Sequence, residues 1–226
     1  TEIFPRIPIP EPLRGTETGT WTHHSIVSRL PQIAQRVISE NKFLPKTVSR
    51  LEKMIQEIPD GLIRHTDTPE AADNLEWIDS VAPYLANNWL EIPWFFAELY
   101  FYRRILEATG FFQRGPGHNL DPYLYQKQQG LDVAQDAICN LCQQSNSWVG
   151  KKDSVFEILQ KLLSVALWGN QADLSLWPAD TADQSSSIKL TQNADNTIVD
   201  HSSRIIDCLS KSENEPGHID FVADNA

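Results

Sequence analysis

NNWLEIPWFFAELYFYRRILEATGFF, residues 87–112, is the densest aromatic stretch of the chain, and its reading decides the fold class. Pro93 suits a helix first turn, where a missing N–H is no loss. Gly110 suits the position just past a helix C-terminus. Between them Trp94, Phe95, Leu99, Tyr102, Ile105 and Leu106 recur at helical spacing and read mainly as core. Glu98, Tyr102 and Arg103 are polar groups inside this apolar helix and need partners there. Arg103 or Arg104 suits an anion clamp; a structural Glu–Arg pair is the other reading.

Working outward, the period stays helical. Residues 23–41 place Ile26, Val27, Leu30, Ile33, Ala34, Val37 and Ile38 on one face, with Pro31 either kinking the helix or marking its start. Residues 45–58 repeat the pattern with Val48, Leu51, Met54, Ile55 and Ile58, opened by Pro45 and closed by the turn signal Pro59-Asp60-Gly61. Further helices are predicted over 70–85, 121–144 and 151–170. Residues 1–20, rich in Pro and Gly, form an extended arm that either wraps onto the body or frays. The polar stretch 178–196 has little to bury and reads as a loop. After it come a short strand over 197–200, a helix over 201–211 and a strand over 218–224 behind the turn-like Asn-Glu-Pro-Gly. The expected architecture is mainly α, a helical subdomain over 1–175 with its N-terminal arm. A polar loop over 176–197 then leads into the beginning of an α/β domain over 198–226. A single opening strand cannot bury its own edges and faces, so the expected sheet is incomplete within these residues.

The 226 residues carry a formal net charge of -11, with no basic stripe, which argues against nucleic acid and against anionic membrane surfaces. No apolar run approaches the roughly 18–20 residues that span a bilayer. Three cysteines make no disulfide framework and point to a reducing cytoplasm. Cys139 and Cys142 form a C-x-x-C within a helix. No second ligand pair is spaced for zinc, and a redox pair belongs at a helix N-terminus, so both read as buried small apolar residues. His23-His24 reads as a helix-start pair. No P-loop, G-x-G-x-x-G, H-E-x-x-H or G-x-S-x-G is present.

Two polar constellations remain. Asp224 and Asn225 follow the last expected strand. A carboxylate and an amide oxygen there are hard ligands for Mg, Mn or a similar ion, or else a turn pair tolerant of left-handed backbone. In LWGNQADLS, residues 167–175, Asn170 and Asp173 can orient a ligand or a metal-bound water, or else serve a helix C-cap and the turn after it.

Taken in order, IPEPLRGTETGTW (9–21), NWLEIPWFFAELYFYRRILEATGFF (88–112), LWGNQADLS (167–175) and DFVADNA (220–226) resemble the damage-control phosphatases. More narrowly, they are similar to the acidic-residue-methyltransferase-like branch, over nearly the whole chain. The resemblance implies a metal-dependent phosphomonoester hydrolase acting on small phosphometabolites such as sugar phosphates, supported by manganese, cobalt or nickel. It implies a helical subdomain on a Rossmann-like, three-layer α/β domain. It makes Asp224 and Asn225 catalytic residues and metal ligands that touch the substrate phosphate. Asn170 and Asp173 then lie beside the site, and Glu98 and Arg103 are candidate substrate-binding residues of the helical subdomain. The family pattern continues to a third metal-binding Asp, a Lys-Gly-Asp-x-Asn-Tyr-Arg loop and a Lys, none of which matches within this chain. These residues alone are therefore expected to be weakly active or inactive. The rival readings are S-adenosylmethionine-dependent carboxyl methyltransfer, for which no Gly-rich loop is visible, and a non-enzymatic helical interaction module.

Overall fold

The computed structural model describes residues 8–150, 154–168 and 198–210, together with His218 and Asp220. The chain is mainly helical. Its elements are α1 (Trp21–His24), a π-helical segment Ser25–Arg29, α2 (Leu30–Glu40), α3 (Pro45–Glu57), α4 (Asn74–Val81), a 3-10 turn Ala82–Tyr84, α5 (Trp94–Thr109), α6 (Leu124–Gly150), α7 (Val155–Trp168) and α8 (Ser202–Ser210). Among the described residues there is no strand, only isolated antiparallel bridges between Arg14 and Pro93 and between Leu62 and Asn88. The chain divides into two compact units, Thr1–Tyr125 and Gln126–Ala226.

In the first unit the helices start and stop for local reasons. Of its two expected roles Pro31 takes the second, standing in the first turn of α2 where that helix starts. It has no N–H to give the Val27 carbonyl, and the turn before it is wound as a π segment in which Leu30 N–H reaches back to the Ser25 carbonyl. Pro45 opens α3, and Pro93 sits at the N-cap of α5, its carbonyl accepting from Ala97 N–H at 2.9 Å. Gly110 ends α5 in left-handed geometry, φ 79°, which lets Phe111 N–H bond the Leu106 carbonyl at 3.0 Å.

The arm is tied to the body at Leu13 and Gly15. Gly15 N–H donates to the Leu90 carbonyl at 3.0 Å and Trp94 N–H to the Leu13 carbonyl at 2.7 Å. A Cβ at residue 15 would stand 2.7 Å from Ile26 Cδ1 and 2.9 Å from Leu90 Cδ2, so any larger residue there requires both side-chain ends to shift.

The core of this unit gathers Ile26, Leu30, Ala34 and Val37 from the first helical run, Leu51 and Met54 from α3, and Ala97, Tyr100, Phe101, Ile105 and Ala108 from α5. Val81 joins it from α4, and Ile58, Ile63, Trp89 and Ile92 complete it from the connecting segments. The α5 face therefore differs from the sequence expectation. Ile105 is buried, but Phe95 and Leu99 are 65% and 46% exposed, and Trp94, Tyr102 and Leu106 are only partly buried. Apolar residues surround this helix, so spacing alone could not select the inward face. Val27, predicted on the buried face of the preceding run, is also exposed.

In the second unit α7 and α8 lie against each other, and the Lys161 ammonium stands 5.8 Å from the Trp148 ring centroid. Two expectations are corrected here. Cys139 and Cys142 are exposed, not buried, because α6 turns them outward. Residues 198–200 form no strand: Ile198 and Val199 are exposed, and Asp200 accepts the Ser202 N–H at 2.8 Å, so it serves the start of α8. The strand expected over 218–224 lies outside the described residues apart from His218 and Asp220. The polar loop over 176–197 lies outside them too.

Candidate functional site

Three polar centres gather along α5, each joining it to a different segment. Glu98 pairs with Arg29, which leaves the π segment with its Nε donating to Ser25 Oγ at 3.1 Å and its guanidinium carbon 6.0 Å from the Trp21 ring centroid. Burial of a carboxylate and a guanidinium together is tolerable because each satisfies the other.

Five residues on, Arg103 meets a different segment. Its Nε and Nη2 bind the two Asp73 oxygens at 3.1 and 3.0 Å, a fork-on-carboxylate geometry. Nη2 also donates to Thr68 Oγ1 at 2.7 Å. The guanidinium carbon lies 4.0 Å from the Phe112 ring centroid, close enough for a cation–π contact. Trp77 Nε1 donates to the same carboxylate at 3.0 Å, so one aspartate holds both α4 and α5.

Arg104 forms the third centre. Nη2 donates to Glu57 Oε2 at 2.7 Å, Nη1 to the Tyr100 hydroxyl at 2.9 Å, and Nε lies 3.1 Å from Glu107 Oε2. Arg64 meets the other Glu107 oxygen at 3.0 Å. Burial pulls the Arg104 guanidinium towards neutrality, but the Tyr100 hydroxyl, Glu57 and Glu107 outweigh it and raise its ionisation above the ordinary arginine value.

Of the residues singled out from sequence, Glu98 and Arg103 lie on α5 but do not pair with each other. Asn170, Asp173, Asp224 and Asn225 lie outside the described residues. Within the described residues no group of three or more His, Cys, Asp or Glu side chains is placed to hold a metal. Sequence reasoning passed over Arg29, Asp73, Thr68 and Glu57. Arg29 carried a usable signal, since it falls between buried Ile26 and Leu30 in a helical run. Asp73 carried none, because its partner is 30 residues away.

The pattern described as the damage-control phosphatase ARMT1-like domain matches residues 25–226, and the chain belongs to that family. Among curated relatives it is similar to the damage-control phosphatase ARMT1 of Danio rerio, 27% identical over 96% of this chain and 56% of the relative. The Xenopus tropicalis protein of that name is 29% identical over 92% of this chain and 55% of its own length. The Homo sapiens protein is 27% identical over 80% and 47%. The chain thus spans about half the length of the curated relatives it matches.

Proposed function

We propose that the protein to which this chain belongs is a metal-dependent phosphomonoester hydrolase acting on small phosphorylated metabolites, sugar phosphates among them. The observation that carries this reading is the family match through residue 226, which takes in Asn170, Asp173 and the adjacent Asp224 and Asn225. The donor chemistry fits: a carboxylate beside an amide oxygen suits Mn, Co, Ni or Mg, and Asp224 and Asn225 would hold the ion. Bound there, the metal supplies Lewis-acid polarisation of a phosphoryl oxygen and a more acidic water.

The chain's own residues do the rest. The Asp224 carboxylate anchors positive charge at the strand end expected there. The Asn225 side-chain N–H donates to a phosphate oxygen. Asn170 and Asp173 orient hydroxyl groups of the substrate. Glu98 and Arg103 act by fixing α5 through Arg29 and Asp73, since their charges are already matched. A net charge of -11 suits a small metabolite better than nucleic acid or a lipid surface. Three free thiols are in keeping with the cytoplasm, and no helix among the described residues is long and apolar enough to cross a membrane.

The test is phosphate release from a panel of hexose and pentose phosphates by the complete protein, with added manganese and after chelation. Asp224→Ala should lower kcat/KM roughly a hundredfold or more, the loss expected when several kcal/mol of charge stabilisation is removed. Undiminished turnover by that variant, or full activity after chelation, would sink the assignment. The non-enzymatic reading keeps one observation on its side, the exposure of Phe95 and Leu99 one turn apart on α5. Self-association that Phe95→Ser abolishes, together with no phosphate release from any substrate, would favour it.

A further inference from the structure

Cys139 and Cys142 are the chemistry-bearing pair that the phosphatase reading leaves unused. Both are free and exposed, and both lie within α6. Three residues apart in a helix, they leave the same face one turn apart, with about 5–6 Å between their Cβ atoms. That separation decides what they can do together. A disulfide needs Cβ atoms about 3.5–4.5 Å apart, so oxidation would have to distort α6. Two metal–sulfur bonds arranged in line hold their sulfurs farther apart than a direct S–S bond does, a span that the i,i+3 spacing supplies without unwinding the helix.

The pair itself offers two thiolates, and that donor set selects the ion. No cluster of three or more His, Cys, Asp or Glu suited to a metal occurs among the described residues, and the remaining cysteine, Cys208, is on α8. Structural zinc takes four ligands in a tetrahedron, which this pair cannot supply. Thiolates are soft and favour monovalent copper, for which two of them suffice. Asp136, one turn before Cys139 and also exposed, adds negative charge on that side of α6.

We propose that Cys139 and Cys142 form a two-coordinate binding site for monovalent copper. Binding replaces two S–H bonds with two Cu–S bonds and releases two protons, and the copper keeps its oxidation state. The site is independent of the proposed hydrolase activity, and its readout does not involve phosphate release.

The experiment is anaerobic competition for Cu(I) between the reduced full chain and a chromophoric chelator. One copper per chain is expected. Cys139→Ser and Cys142→Ser should each bind at least about a hundredfold more weakly, because removing one thiolate abolishes the chelate effect. Cys208→Ser should match the wild type. Cys139→Ala, which keeps a strong helix former, repeats the test, and unchanged helix content by circular dichroism confirms that α6 persists. Equal binding by the Cys139→Ser/Cys142→Ser double variant overturns the proposal. So does failure to compete with the chelator, or copper-dependent dimerisation, which would place the ion between two copies.

Discussion

Tyr123 gives the first unit its clearest pH dependence. Its ring meets Tyr102 edge-on at 5.8 Å, and its buried hydroxyl has no hydrogen-bond partner among the described residues. Burial, then the neighbouring Tyr102 and Asp121, pushes its ionisation well above the ordinary 10.0. Above pH 10 the unfolded chain gives up this proton while the folded chain keeps it. The native state then binds more protons, so the contribution is fully present below pH 10 and is lost as pH rises towards the folded value. The decline should approach about 1.4 kcal/mol per pH unit. Urea denaturation between pH 9 and 11 should show this component in the wild type and its absence in Tyr123→Phe; superimposable profiles would refute it. At neutral pH the same variant should cost less than about 1 kcal/mol, because no hydrogen bond is removed. None of this was legible in Asp-Pro-Tyr-Leu-Tyr, where Tyr123 and Tyr125 look alike. Tyr125 is exposed, and only the fold separates them.

The element scale turns on how α5 is pinned. Arg103 is 4% exposed while Asp73 is 44% exposed, so the two halves of the pair are not equivalent. Asp73→Ala would leave a buried guanidinium without its carboxylate and would strip Trp77 Nε1 of its acceptor. Arg103→Met would leave a carboxylate that water can reach, with Met keeping contact with the Phe112 ring. We expect Asp73→Ala to destabilise by about 3 kcal/mol and Arg103→Met by about 1–2, the penalty following the charge left stranded. Chemical denaturation midpoints should fall in that order, and the reverse order would show that packing, not charge, dominates here. The ends of α5 were legible because Pro93 and Gly110 act through their own backbones. Its inward face was not. Arginines at 103 and 104 belong inside only because Asp73, Thr68 and Glu57 arrive from elsewhere, and no periodicity reports that. For the same reason the strand expected over 197–200 gave way at 198–200, where Asp200 found a local partner in Ser202 instead of a neighbouring strand.

Across the molecule, burial among the described residues is unequal between the two units. The first concentrates its buried aliphatic and aromatic side chains in one cluster and ties its segments together through Arg29, Arg103 and Arg104. In the second, apolar positions along the helices stay open to solvent: Val133 is 46% exposed, Ile138 44%, Val155 70% and Ile205 44%. The family was legible at this scale because motif order survives when individual motifs are modest. Asp224 and Asn225, expected from sequence as hard donors, lie outside the described residues. Stability could not be read in this way, since amphipathic helices look alike in sequence whether or not their faces are covered. Helices with little buried apolar surface open at low free energy, whereas helices embedded in a cluster open only with the global transition. Amide hydrogen exchange should therefore protect α2, α3 and α5 far more than α6, α7 and α8. The difference should exceed about a hundredfold in protection factor, the equivalent of roughly 2.7 kcal/mol between local and global opening. Equal protection across both units would mean that the open faces of α6, α7 and α8 are covered in solution, and the unequal ledger of burial would then fail as a guide to where this chain is firm.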